Sequence, residues 1–561
     1  MCRCQVHGSC HGCHHSAAGS GEYSAAGSGE YSAAGSGEYS AADSGKYSVD
    51  RRRFLRGFAT AAAATAGGLS SLCSAADDNR DKVRVAAVFL VNTNFHEIWP
   101  YPGFDVAARQ REILALLAKG CPEVEFVPVP VAKGADVQKA VAMKDDVDGY
   151  LVYVMTLDWG LGATAIQLGQ LGKPMLLANE FLGGCGVFLT RYGELCGRKI
   201  PAGAVSSTRL DDLVAVARQF ATVHKPGTTP ESFARQCDEV YRKTFATVGE
   251  MKCVDDPLSL TEIGECVKRF RQSRFLIVGR GGGGREQDFL GMKARYIDFD
   301  ELGALYEKVD RDAAAAWAAR WTKQAEKLPG GDYVEPSQPT EEAVRNAGGV
   351  YLALLELLKK YDTDNVTMNC LGGFSAGKLP AYPCLGYRQL LDDGAQGVCE
   401  AMPDDTLSMA MARILTGRPG FVSDPALDTS KNQIVYAHCV ATTKPFGPQR
   451  DANGFRIRTL HNRDPRGACA EAFLPAQYMT TSFRTNVAQK KLVVHRAKAV
   501  GTLDSEYGCR TKLIAEVHGD VGKLFRQWQN FGWHRVTVYG DVQEPIAEFG
   551  KALGLDVVEE A

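Results

Sequence analysis

At 561 residues the chain exceeds what one hydrophobic core organises, and two to four domains are expected. Its 64 Lys+Arg against 66 Asp+Glu leave a net charge of -2, within an ordinary globular composition of 45% hydrophobic and 23% charged residues. That balance provides no basic field for nucleic acid and no cationic face for an anionic membrane, so a small neutral molecule is the expected partner.

Residues 1–48 read as a low-complexity leader. Residues 16–47 repeat one octapeptide four times, SAAGSGEY three times and then SAADSGKY, a tract too poor in apolar side chains to form a core. Ahead of it, Cys2, Cys4, Cys10 and Cys13 alternate with His7, His11, His14 and His15, a set that could take zinc or copper but equally suits a biased leader, so no metal is assigned there. Residues 49–76 carry a twin-arginine pattern, Asp50-Arg51-Arg52-Arg53-Phe54-Leu55-Arg56, then a weakly apolar Gly57–Leu72 and a small-residue Ser74-Ala75-Ala76. This route carries proteins already folded in the cytoplasm, and a periplasmic destination is expected. The cysteine usage agrees: of 17 cysteines, the 12 from Cys121 to Cys509 are scattered singly with no CxxC, unlike a disulfide scaffold.

From Val83 onward, apolar runs alternate with helical periodicity. Val83–Val91, Val124–Val129, Gly149–Val154 and Pro174–Ala178 read as buried strands, and Asp105–Ala118 as an amphipathic helix. Alternation of this kind implies a doubly wound parallel sheet, ending near residue 225. A second α/β domain, 226–417, follows with strands at Phe275–Val278, Arg295–Phe299, Asn365–Cys370 and Gly397–Cys399. Its helices are expected at Arg311–Glu326, Glu341–Tyr361, Leu385–Leu391 and Asp404–Leu415. From 418 to 561 helical periodicity fades, and Gln433–Ala437, Lys491–Val494, Leu513–Val517 and Arg535–Tyr539 indicate a mainly β domain with a last helix near Pro545–Leu553. The expected class is therefore α/β, two doubly wound parallel-sheet domains followed by a mainly β domain.

Two short apolar runs end on carboxylates: Gly397-Val398-Cys399-Glu400 and Gly420-Phe421-Val422-Ser423-Asp424. Strand ends in open α/β sheets face the ligand crevice. His438 follows one later strand and His534 precedes another. Two carboxylates with two imidazoles suit Mn²⁺, or Mg²⁺ or Co²⁺. Each residue also has a plainer reading. Glu400 could cap the helix beginning near Pro403, Asp424 could sit in a turn before Pro425, and His438 and His534 could be packed core histidines.

The series Glu400, Thr416-Gly417-Arg418-Pro419, Asp424, His438-Cys439 and Trp533-His534-Arg535-Val536-Thr537-Val538-Tyr539-Gly540-Asp541 resembles the L-fucose/L-arabinose isomerase family. The separation of Glu400 and Asp424, 424 − 400 = 24 residues, is similar to that of fucose-type members, whereas His438 looks like the additional histidine of arabinose-type members. The resemblance extends over roughly 82–561 as a three-domain layout. It implies a metal-dependent aldose–ketose isomerase of a monosaccharide, acting through an enediolate. Glu400 and Asp424 would be its acid/base pair and, with His438 and His534, its metal ligands. A trimer or hexamer is implied likewise.

Two other classes have support. Gly279-Arg280-Gly281-Gly282-Gly283-Gly284 satisfies GxGxxG, and Asp298 follows 298 − 279 = 19 residues later, as in an NAD(P)-dependent sugar oxidoreductase. That motif requires a helix directly after the glycines. A non-catalytic exported sugar-binding protein would use similar α/β domains without needing the Glu/Asp/His set.

Overall fold

The computed structural model describes residues 82–561 apart from 94–98, 102, 328–337, 462–463 and 465. The repeat-bearing leader 1–48, its cysteine- and histidine-rich head and the twin-arginine segment 49–76 lie outside the described residues. No helix among the described residues is long and apolar enough to cross a membrane.

The first sheet contains β1 (Val83–Leu90), β2 (Val124–Val131), β3 (Gly149–Val154), β4 (Met175–Asn179) and β5 (Gly203–Val205). All pair in parallel, in the order β2-β1-β3-β4-β5. β3 and β4 are buried at every residue, which is why they read as unbroken apolar runs rather than as alternating ones. The first helix, Val106–Gly120, starts where Asp105 accepts from the Ala108 amide at 2.8 Å, and it turns Ile113 and Leu117 inward. The strand order reverses between β1 and β3, opening a crevice beyond their carboxyl ends.

The second sheet holds β6 (Arg274–Val278), β7 (Glu286–Phe289), β8 (Met292–Ile297), β9 (Asn365–Met368) and β10 (Gln396–Cys399), in the order β10-β9-β6-β8-β7. It departs from the expected wholly parallel sheet, because β7 runs antiparallel to β8 at the edge. The physical reason lies in the glycines before it. Gly279, Gly281, Gly282 and Gly284 all have φ between +69° and +82°, so the chain turns back there and enters the β7–β8 hairpin, whose own turn lies at Leu290-Gly291. GxGxxG is thus followed by a strand, so these glycines do not open the helix that a dinucleotide fingerprint requires. β9 also ends two residues before the expected Cys370, which instead opens the short helix Cys370–Ser375.

The last third is mainly β, as expected, and it closes on itself. Its strands are β11 (Phe421–Asp428), β12 (Gln433–His438), the ribbon pair β13 (Phe455–Arg458) and β14 (Cys469–Ala472), then β15 (Met479–Asn486), β16 (Lys491–Thr502), β17 (Thr511–Val517), β18 (Arg535–Tyr539) and β19 (Asp556–Glu559). The order β15-β18-β11-β12-β17-β16, with β16 pairing back onto β15, makes an antiparallel barrel, and β19 is added in parallel outside β16. Closure removes the edges that would otherwise invite further pairing.

One buried ionic clamp ties the chain's last strand to the barrel. Arg535, at the start of β18, donates to both Glu560 carboxylate oxygens at 2.8 and 2.7 Å, and His495 Nδ1 lies 2.9 Å from the same carboxylate. Burial works against a charged Glu560, but Arg535 overrides it and draws the carboxyl down to about 2. A carboxylate with a lowered folded value stabilises the fold above its ordinary range near pH 4.5, and that contribution is lost as pH falls through about 2. Glu560→Gln leaves Arg535 buried without its counter-charge, so about 3–5 kcal/mol should be lost at neutral pH. Thermal melts from pH 7 to pH 2 check this: the variant starts lower and loses less on acidification than the parent protein.

Candidate metal centre

Glu400 leaves the carboxyl end of β10 in a left-handed conformation, φ +68°, and Ala401 repeats it at φ +51°. Two consecutive non-glycine residues in this region cost about 1–3 kcal/mol each and persist only where the surroundings enforce them. Arg280, from the glycine loop after β6, donates to the Glu400 carbonyl at 3.1 Å and so braces the turn. The helix Pro403–Thr416 is not capped by Glu400: Met402 holds the cap position, and Pro403 opens the first turn. The Glu400 side chain is thereby released from the helix and remains 26% exposed.

Asp424 lies inside β11, not at a strand end or in a turn, and Pro425 does not stop the strand. Its position matters for another reason. β11 pairs with β18 over Phe421–Ser423 and with β12 over Asp424–Asp428. The strand therefore changes partners at Asp424, beside the end of β12 at His438 and the start of β18 at Arg535. Pro425, which lacks an amide hydrogen, falls just past the last paired residue on the β18 side and leaves no ladder bond broken there. His438 is the last residue of β12, and His534 immediately precedes β18, so both imidazoles flank Asp424.

The four residues converge. His438 Nε2 is 3.7 Å from Glu400 Oε1, and His534 Nε2 is 3.7 Å from Glu400 Oε2. Asp424 Oδ1 lies 3.0 Å from His534 Nε2, and the two imidazole rings meet edge to face with centroids 5.4 Å apart. Glu400, His438 and His534 each offer a ligand atom within 4.8 Å of the others; Asp424 adjoins this trio through His534. His534 is 1% exposed, yet its Nε2 makes no aligned hydrogen bond, and His438 Nδ1 is likewise buried without one. A buried ring nitrogen left open beside two carboxylates is a costly arrangement that a cation relieves. The donor set of imidazole nitrogen and carboxylate oxygen fits a divalent ion such as Mn²⁺, Co²⁺ or Mg²⁺.

The supporting residues fix this geometry. Asp405 Oδ2 is 2.6 Å from His534 Nδ1, and Arg484 Nε donates to Asp405 at 2.9 Å. Burial opposes ionisation of Asp405, but the charges of Arg484 and His534 hold its carboxyl down at about 2. Burial likewise opposes a charged His534, while Asp405 and Asp424 push its pKa well above the ordinary imidazole value. Although loss of solvation works against its charge, Asp424 is kept below the usual carboxylate range by His534, His438 and the Trp533 indole, whose Nε1 donates to it. Trp533 is itself held from the first sheet's helices, edge to face with Trp159 at 5.8 Å and against Gly186, where a Cβ would sit 2.8 Å from the indole.

Asp405, Arg484 and Arg280 were not singled out from the sequence. Asp404-Asp405 behind Pro403 looks like the ordinary acidic first turn of a helix, and only the tertiary fold turns Asp405 onto an imidazole 129 residues later. Compared with protein-family models and with curated proteins, the chain finds no match to either.

Asp405 orients a ligand without touching the ion's place. Asp405→Asn, of nearly the same shape, should weaken Mn²⁺ binding by roughly 10–100-fold, the usual consequence of losing a carboxylate behind a ligating histidine. Isothermal titration with Mn²⁺ measures it, and unchanged affinity would show that the pair serves packing alone.

Proposed function

We propose that the protein is a divalent-metal-dependent aldose–ketose isomerase acting on a monosaccharide. The observation that carries this reading is the convergence of Glu400, His438 and His534, with Asp424 beside them, at the carboxyl end of a parallel strand and the partner change of a barrel strand.

Isomerisation moves one proton between C1 and C2 and another between O1 and O2, so it needs groups that each accept and return a proton. Glu400 and Asp424 are the two carboxylates able to do so, and the partial exposure of both, 26% and 29%, leaves them accessible to a sugar. Asp424, held ionised by His534 and Trp533, is suited to accept a proton first. His438 and His534, with Glu400 and Asp424, would hold Mn²⁺ or a similar ion. When bound, that ion would supply a Lewis acid for the sugar carbonyl and for the charge of the enediolate. The nicotinamide reading loses its support, because the loop Gly279–Gly284 runs into β7 and Arg280 is spent on the Glu400 turn.

Glu400→Gln preserves shape and one ligand oxygen but exchanges no proton, so turnover of the preferred aldose should fall by roughly 10²–10⁴-fold while Mn²⁺ affinity falls less. Chelation should abolish turnover in the parent enzyme, and NAD or NADP should change nothing. Nucleotide-dependent, chelator-resistant turnover that collapses on Gly281→Val would overturn the reading.

A further inference from the structure

Next to this centre lies a second group of ligand-type side chains that the proposed chemistry does not use. Cys439 follows His438 directly, Cys509 precedes β17 by two residues, and His461 comes from the segment after the β13 strand. Cys439 Sγ lies 3.5 Å from His461 Nδ1, and Cys509 Sγ lies 3.8 Å from the same nitrogen. The three residues offer ligand atoms all within 4.8 Å of one another. We propose that Cys439, Cys509 and His461 form a soft-metal site that holds a zinc ion, separate from the Glu400 centre.

Distance supports this choice. A tetrahedral ion with Zn–S of about 2.3 Å and Zn–N of about 2.0–2.1 Å keeps its sulfur and nitrogen ligands roughly 3.5–3.6 Å apart. The two observed separations bracket that value closely. One ring N–H serves one strong hydrogen bond, whereas here a single nitrogen faces two sulfurs. Two thiolates with one imidazole prefer zinc to the hard ions suited to carboxylates.

The backbone brings the ligands together in advance. β12 and β17 pair with His438 opposite Thr511, which sets Cys439 beside the chain entering β17 from Cys509. Arg510, fully buried, then ties that chain to the histidine's own segment. Its guanidinium donates to the Thr459 carbonyl at 2.8 Å, to Thr459 Oγ1 at 3.1 Å and to the Leu460 carbonyl at 2.9 Å. Cys469, also buried, lies beside Cys439. The Trp99 ring meets the His461 ring edge to face at 5.3 Å and fixes its tilt. Cys439 is buried while His461 and Cys509 are part-exposed, so the ion enters from their side and water completes the fourth corner.

The test uses the full chain with Cys2, Cys4, Cys10 and Cys13 replaced by Ser, since leader thiols would give the same signal. The protein is kept reduced, stripped of metal and titrated with Co²⁺. A thiolate-to-cobalt charge-transfer absorption in the near ultraviolet is expected, and Zn²⁺ should displace it. Cys509→Ser should abolish most of that absorption, whereas Glu400→Gln, whose centre contains no sulfur, should keep it. If Cys509→Ser does not fold, His461→Ala at a part-exposed position carries the same test, with the band shifted and weakly held. Absence of the absorption in the parent protein, its undiminished persistence in Cys509→Ser or its unshifted persistence in His461→Ala, or a Cys439–Cys509 disulfide in metal-free protein as isolated would each overturn the proposal. None of these outcomes depends on isomerase activity.

Discussion

The centre is organised around one buried imidazole caught between two carboxylates. His534, 1% exposed, has Asp405 at 2.6 Å on one nitrogen and Asp424 at 3.0 Å on the other. A charge this deep is tolerable only where partners compensate it, and each partner is compensated in turn: Asp405 by Arg484, Asp424 by Trp533. Removing any one member strands another. The same segment is anchored on its far side by Arg535, which clasps Glu560 and donates to the Gly532, His534 and Trp528 carbonyls. Position and tautomer of His534 are thus fixed together: with Nδ1 directed at Asp405, Nε2 is the nitrogen left to face an ion, which it binds only by giving up its proton.

Around that imidazole three parts of the chain contribute different things. The second sheet delivers Glu400 at the end of β10, on a left-handed turn that Arg280 braces from the neighbouring loop. The barrel delivers Asp424, His438 and His534 at a single place, where β11 exchanges one neighbour for another. The first sheet's helices deliver no carboxylate to the group, but through Trp159 and Gly186 they hold Trp533 against Asp424. Strain, partner exchange and close packing all fall within the same few residues. Functional centres are where such local costs accumulate.

Much of this could be read from residue order. Buried parallel strands such as β3 and β4 are continuous apolar runs, and Gly149–Val154 was delimited to the residue. The four residues Glu400, Asp424, His438 and His534 stand out in the sequence because each abuts an apolar run. Long-range pairing was not legible. β7 hid behind glycines that mimic a nucleotide loop, and Asp424 looked terminal because a proline follows it, although the proline's missing amide hydrogen falls where no partner needs it. Scattered cysteines gave no spacing signal, yet barrel register brings Cys439 and Cys509 to one histidine. Asp405 escaped notice because acidic first turns are common and its imidazole is distant in sequence.

The most direct measurement of the central claim loads the protein with Mn²⁺ and incubates it with a panel of aldoses in D₂O. An enediolate route through Glu400 and Asp424 predicts that one aldose is converted to its ketose, with deuterium entering at C1 of the ketose and at C2 of the recovered aldose. Ketose formed with no deuterium at either carbon would contradict proton transfer by carboxylates in exchange with solvent. Failure of every aldose to react, with Mn²⁺ shown to be bound, would contradict the isomerase itself.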